Sequence, residues 1–121
     1  MTTTDQPATT VERLLEDAWT LDCAIRLREG AWAAVAAERL VARLARHEQD
    51  ALHAWNAVDE ATGEALAAEV RAVRAAVPAV AAVAADPDGA PWPRPDVHQR
   101  VATLIHHEAV AVAEAVWRFV D

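Results

Sequence analysis

The stretch that decides the fold is AWAAVAAERLVARLARHEQDALHAWNAV, residues 31–58. On a helical projection its apolar side chains share one face, which carries Ala37, Val41, Leu44, Ala51, Leu52, Trp55 and Val58. Glu48 falls inside that face, whereas Arg39, Arg43 and Arg46 mark the opposite side. A buried carboxylate costs several kcal/mol unless it is paired, protonated or bound to a metal. We therefore predict a long helix whose inner face holds a polar site or meets something other than a dry core.

A shorter helix is predicted before this stretch. Thr9 or Thr10 can cap its start, and the apolar period continues to about Arg28. Gly30 is expected to end it as a C-cap, so that the first two helices are separate rather than one kinked helix. Residues 1–9 are polar and are predicted to be a disordered tail.

Two more helices are predicted after the stretch. Asp59 can cap a third helix, and Pro78 is expected to kink that helix or to end its first part. Its apolar residues follow four-three spacing, at Leu66, Val70, Val73, Val77, Val80 and Ala84. Asp96 can cap a fourth helix that runs to about Val120. Residues 10–121 are therefore predicted to be one all-α domain, a four-helix antiparallel bundle with up-down-up-down topology.

The segment DPDGAPWPRP, residues 86–95, is the only predicted long loop, because it holds four of the six prolines. Its Trp92 is expected to pack against one end of the bundle, or to belong to a lid or docking loop.

The charge balance excludes some classes of function. The net charge is −8, and the eleven arginines are mostly interleaved with acidic residues, so neither nucleic acids nor acidic membranes are expected partners. No signal sequence and no membrane-spanning apolar run is evident, which predicts a cytoplasmic protein. The single cysteine, Cys23, excludes an internal disulfide.

Four residues on three predicted helices could form a metal site. If the bundle is antiparallel, Glu48 and Glu69 lie at nearly the same height, Glu108 lies about one turn away, and His47 flanks Glu48. Three carboxylates and a histidine on facing helices are typical of a carboxylate-bridged transition-metal site. Alternatively, Arg71 or Arg74 neutralises the carboxylates, or Glu48 pairs across a dimer.

Two further hypotheses concern the fourth helix. His98 points to its apolar centre and Asp22 lies near the same end of the bundle, so the two could form a ligand-binding or acid–base pair. The segment Arg100-Val-Ala-Thr-Leu-Ile-His106 resembles the arginine–histidine motif of the HEPN family of helical bundles, which implies RNA cleavage. Val101 stands where that family often has a polar residue.

The bundle also resembles the ferritin-like di-iron proteins in outline, but their Glu-x-x-His pairs are not present in this sequence.

The fourth helix has a wider apolar arc than one neighbouring helix can cover, with Val101, Ile105, Ala109, Val112, Val116 and Phe119 at its centre. This predicts a homodimer. Three classes of function remain open: an accessory, non-catalytic protein that binds a partner or a small ligand through its polar cluster or dimer interface, a metal-dependent enzyme, and a HEPN-like ribonuclease.

Overall fold

The computed structural model describes residues 9–84 and 96–120, and four helices account for nearly all of them. They are α1 (Thr10–Arg26), α2 (Gly30–Trp55), α3 (Glu60–Val83) and α4 (Val97–Val120). The predicted all-α four-helix bundle is confirmed, and α1 and α2 are separate helices. The α1–α2 connection marks the upper end of the bundle and the α2–α3 connection marks its lower end. Residues 1–8 of the predicted tail and the proline-rich loop with Trp92 lie outside the described residues, whereas Thr9, the last residue of that tail, caps α1.

Local signals set both ends of α1. Thr9 and Glu12 form a capping box: the Glu12 amide donates to the Thr9 hydroxyl at 3.1 Å, and the Thr9 amide donates to the Glu12 carboxylate at 3.3 Å. At the other end the Glu29 amide donates to the Ala24 carbonyl, and the left-handed residue of this turn is Arg28, with φ of 56°. The prediction that Gly30 is the C-cap is therefore wrong, since Gly30 is the first residue of α2.

Helix α3 begins at the predicted cap. The Asp59 carboxylate accepts from the Thr62 amide at 3.3 Å and from its hydroxyl at 2.8 Å. The helix then continues past Pro78 to Val83, so Pro78 does not end it.

The core lies between the inner faces of the four helices, and α2 and α3 form its most extensive contact. Leu14, Leu21, Leu40, Leu44, Val70, Val77, Val101 and Leu104 are fully or almost fully buried. At the lower end, α3 approaches α2 closely at Gly63: a Cβ atom there would lie 2.6 Å from the Cβ of Trp55. The buried position predicted for Trp55 is confirmed.

The first helix is too short to flank the whole bundle. It has 17 residues, whereas α2 has 26. Asp22 of α1 lies beside Val97 of α4, and these two helices run antiparallel. Thr10 precedes Asp22 by twelve residues and therefore reaches the level of about Ala109, twelve residues after Val97. Below that level α2, α3 and α4 continue without α1, over about 18 Å of α4.

Candidate functional site

Glu48 lies inside the bundle, as the sequence predicts, and two arginines of α3 neutralise it. The residue is 5 % exposed. One carboxylate oxygen accepts from Nε and an amino group of Arg71, at 3.3 and 3.0 Å. Arg74 lies 3.2 Å from the other oxygen, as a charge contact without hydrogen-bond geometry. Since both cations come from the neighbouring helix, the pairing joins α2 to α3.

His47, the next residue of α2, pairs with α4. Its Nε2 lies 2.7 Å from the Glu108 carboxylate, and both side chains are largely buried. The hydrogen bond to Glu108 raises the pKa of His47 above its ordinary value of 6.5, with further raising from the charges of Glu108 and Asp50. Burial of the ring lowers the pKa, and this effect is second in size to the hydrogen bond with Glu108. The pair is therefore favoured as an imidazolium–carboxylate contact.

Glu69 of α3 pairs with His107 of α4. The histidine Nδ1 lies 3.1 and 3.0 Å from the two carboxylate oxygens, and both side chains are nearly half exposed. The sequence did not indicate His107 as a site residue, because it lies on the polar side of α4. One feature of the sequence could have indicated His107. If α3 and α4 are antiparallel neighbours, Glu69 lies opposite the turn of α4 that carries His107.

These contacts form one layer at mid-height, which we call the ion-pair belt: His47, Glu48, Glu69, Arg71, Arg74, His107 and Glu108. It joins α2 to α3, α2 to α4 and α3 to α4. The predicted metal ligands are therefore divided among three separate pairs. Within residues 9–84 and 96–120, no three His, Cys, Asp or Glu side chains converge in a way that could hold a metal ion. Two guanidinium groups beside Glu48 also oppose a cation there.

Asp22 is buried and caps a helix to which it does not belong. Its two carboxylate oxygens accept from the backbone amides of Val97 and His98, at 3.1 and 3.0 Å. These are the first two amides of α4, which have no partner within their own helix. The predicted cap, Asp96, instead accepts from the Arg100 side chain at 3.1 Å.

The predicted Asp22–His98 pair exists only through the His98 backbone. The His98 ring packs edge-on against Trp19, with ring centroids 5.6 Å apart. Asp22 therefore acts as a helix cap in this structure, and the described contacts give it no hydrogen bond to the imidazole.

The seam between α3 and α4 is open on both sides of the Glu69–His107 pair. Above the pair lies a cleft of about 520 Å³, lined by Glu69, Ala72, Val73, Asp96, Gln99, Arg100, Thr103, Leu104 and His107. Below it lies a cleft of about 440 Å³ lined by Leu66, Glu69, His106, His107, Val110, Ala111 and Glu114. Arg100 and His106, which resemble the HEPN motif, share no hydrogen bond or ion pair among the described contacts.

A large exposed apolar surface lies on the distal half of α4, residues 109–120. It consists of Val110, Val112, Val116, Trp117, Phe119 and Val120, and Trp117 and Phe119 are 69 % and 79 % exposed. Between this half-helix and the lower end of α2 runs a groove of about 280 Å³, lined by Ala54, Trp55, Val58, Val112, Ala115, Val116 and Phe119. We call the six exposed side chains and this groove the distal apolar surface.

The chain matches no protein-family model, no curated protein and no solved structure. Among the described helices, none is long and apolar enough to cross a membrane.

Proposed function

We propose that this protein is a small, non-catalytic binding protein that associates with another polypeptide through the distal apolar surface. The observation that carries the proposal is the extent of that surface. Soluble monomers seldom expose this many large apolar side chains side by side, and such patches commonly mark interaction sites. Tryptophan and other aromatic residues are also the side chains that most often dominate binding energy at interfaces.

The arrangement of the belt supports a non-catalytic role. Each of its carboxylates already has a cationic or histidine partner on a neighbouring helix, and these pairs hold the helices together. A general base or nucleophile needs an accessible group beside a substrate site, and Glu48 is both buried and flanked by two guanidinium groups.

Site-specific photocrosslinking tests the proposal. Trp117 is replaced by p-benzoylphenylalanine in the cells that normally produce the protein, and the same group at Gln49, an exposed residue on α2, is the control. We expect a covalent polypeptide adduct from position 117 that is much weaker from position 49. The adduct should persist in Glu48→Leu, because the proposal gives Glu48 a structural role. Equal labelling at both positions would contradict it.

A small ligand in the upper α3–α4 cleft is the second candidate. The cleft is large enough for a small molecule, and Gln99, Arg100 and Thr103 provide hydrogen-bond donors beside an apolar floor. Thr103→Trp would fill part of the cleft. Metabolites that raise the melting temperature of the wild type but not of this variant would support this second function, and a screen in which both respond equally would oppose it.

A further inference from the structure

We propose that the polypeptide bound by the distal apolar surface is a second copy of this chain, and that α4 packs against the partner's α4 across a two-fold axis. This inference rests on the proposed function and names the partner. In such an interface the same surface patch serves both subunits, so the patch must be complementary to itself.

The composition of the eight residues before Thr9 does not suit the groove. The capping box at Thr9 marks the start of α1, at the level where the groove begins. The eight residues before Thr9 are MTTTDQPA, with a single large apolar side chain, Met1. A segment of this composition cannot supply the apolar stripe that a groove lined by valine, tryptophan and phenylalanine requires.

The charge distribution favours a copy of the same surface. The chain as a whole carries a net charge of −8, which makes two copies repel each other at most orientations. Residues 109–120 contain one acidic residue, Glu114, and one basic residue, Arg118, so this segment has no net charge. Arg118 also pairs with Asp59, the N-cap of α3, at 3.3 Å. Two such segments can therefore meet without adding to the net repulsion between the chains.

The spacing of side chains suits helix-to-helix packing. Val112, Val116 and Phe119 form a ridge at i, i+4 and i+7, and the small residues Ala109 and Ala113 beside it allow a second helix to approach. The exposed residues of α4 together with Val58 present a surface on the order of 700 Å² in total, and a standard interface buries roughly 800 Å² per partner. The surface therefore approaches the size of one side of a standard interface.

Sedimentation equilibrium of the full chain tests the inference. We expect the wild type to have twice the chain mass of 13.1 kDa. Val116→Glu should weaken the dimer by on the order of 100-fold or more, because it places two carboxylates near the axis. Val35→Glu is the matched control: Val35 is 48 % exposed and Val116 is 54 % exposed, and both exchanges add the same charge. Circular dichroism and thermal unfolding establish that both variants remain folded.

Disulfide trapping is a second, independent test of the proposed packing of α4 against the partner's α4. In a Cys23→Ser background, single cysteines are placed at 112, 116, 117 and 120, with one at 35 as the control. At least one distal position should form a covalent dimer rapidly, because a residue near a two-fold axis faces its own copy. Rapid trapping only at position 35 would contradict the proposed packing.

The outcomes separate this inference from the proposed function. A monomeric wild type, or a dimer that Val116→Glu leaves unchanged, overturns the second-copy inference. If the protein is monomeric but Trp117 still crosslinks to a different polypeptide, the inference fails while the proposed function stands. If it is monomeric and Trp117 gives no adduct, both fail.

Discussion

At the scale of single residues, Glu48 illustrates how a charge can lie inside a small bundle. Its arginine partners reach it from the rim of α3: the Arg71 side chain is 57 % exposed and that of Arg74 is 30 % exposed. The guanidinium groups therefore keep much of their hydration, and only the carboxylate is fully removed from water. Consequently the two ends of this ion pair should respond very differently to substitution.

Glu48→Leu is predicted to leave the free energy of unfolding unchanged or to raise it by about 1 kcal/mol, because an apolar residue of similar size often replaces a buried ion pair without loss. The arginines it releases can turn into solvent. By contrast, the double variant Arg71→Ala/Arg74→Ala should lose about 3 kcal/mol or more, since it leaves the buried carboxylate unpaired. Urea denaturation measures both.

The triple variant, which combines Glu48→Leu with the two arginine substitutions, is the control. It should recover most of the loss, because the unpaired carboxylate is gone. A triple variant as unstable as the arginine double variant would mean that the arginines stabilise the fold by packing and not by charge.

His47 gives the bundle a pH dependence of defined sign. Its pKa is raised in the folded state, so its contribution to stability is fully present below 6.5 and is lost as the pH rises through the raised pKa. We predict that Glu108→Gln lowers the pKa of His47, and that the stability difference between wild type and this variant shrinks as the pH increases. NMR titration of the His47 ring, with urea denaturation at several pH values, measures both. An unchanged His47 pKa in Glu108→Gln would exclude Glu108 as the cause.

The sequence predicts the burial of Glu48 in the ion-pair belt, but not which residues pair with each other. The helical wheel identifies Glu48 as buried, because that requires only the period of α2. The partner of each carboxylate depends on register between helices, and a helix advances by 100° per residue. His107 contacts Glu69, and the next residue, Glu108, contacts His47 on a different helix. An error of one residue in the predicted register of α4 therefore assigns the wrong partners.

At the scale of elements, Asp22 ties the beginning of α4 to α1. Asp22→Ala should lower the free energy of unfolding by about 2–3 kcal/mol. It removes the acceptor of two backbone amides of α4, that of Val97, which is buried, and that of His98, which is partly buried. Asp22→Asn retains one acceptor oxygen and should lose less. Faster hydrogen exchange at the Val97 and His98 amides in Asp22→Ala would locate the effect at the start of α4, whereas exchange raised uniformly along the chain would argue against a local cap.

The contact between α2 and α3 makes a second prediction at this scale. Gly63→Ala should lower the free energy of unfolding by about 1–3 kcal/mol, although alanine favours helices more than glycine does, because its Cβ would clash with Trp55. Ala65→Gly is the control, because Ala65 is exposed and lies two residues after Gly63. It should lower the free energy of unfolding by about 1 kcal/mol through helix propensity alone. A stabilised Gly63→Ala would mean that the helices separate easily at this point.

Element boundaries were predictable where a side chain determines them. Thr9 and Asp59 cap their helices as expected, since the hydrogen bonds involved are local. The end of α1 was not predictable from glycine preference, because the left-handed position is taken by Arg28, at a conformational cost of about 1–2 kcal/mol. The cap of α4 was not predictable either, because Asp22 lies 75 residues away in sequence.

At the scale of the whole molecule, the bundle has two different cross-sections. Within residues 9–84 and 96–120, its upper part contains four helices and its lower part contains three, since α1 begins only at mid-height. The sequence already showed that α4 has more apolar surface than one neighbour can cover. It could not show that the excess is uncovered in the distal half, because that depends on how far α1 reaches beside α4 and hence on the Asp22–Val97 register.

The Asp22 cap has a consequence for the order in which the chain folds. Local contacts can form α2 and α3 early, but the first turn of α4 receives its acceptor only after a loop of 75 residues has closed. Contacts between distant parts of a chain slow folding, because their entropy cost precedes their gain. During synthesis Asp22 therefore meets its hydrogen-bond donors only after the last helix has emerged, and the Val97 amide should be among the last to become protected when the chain refolds.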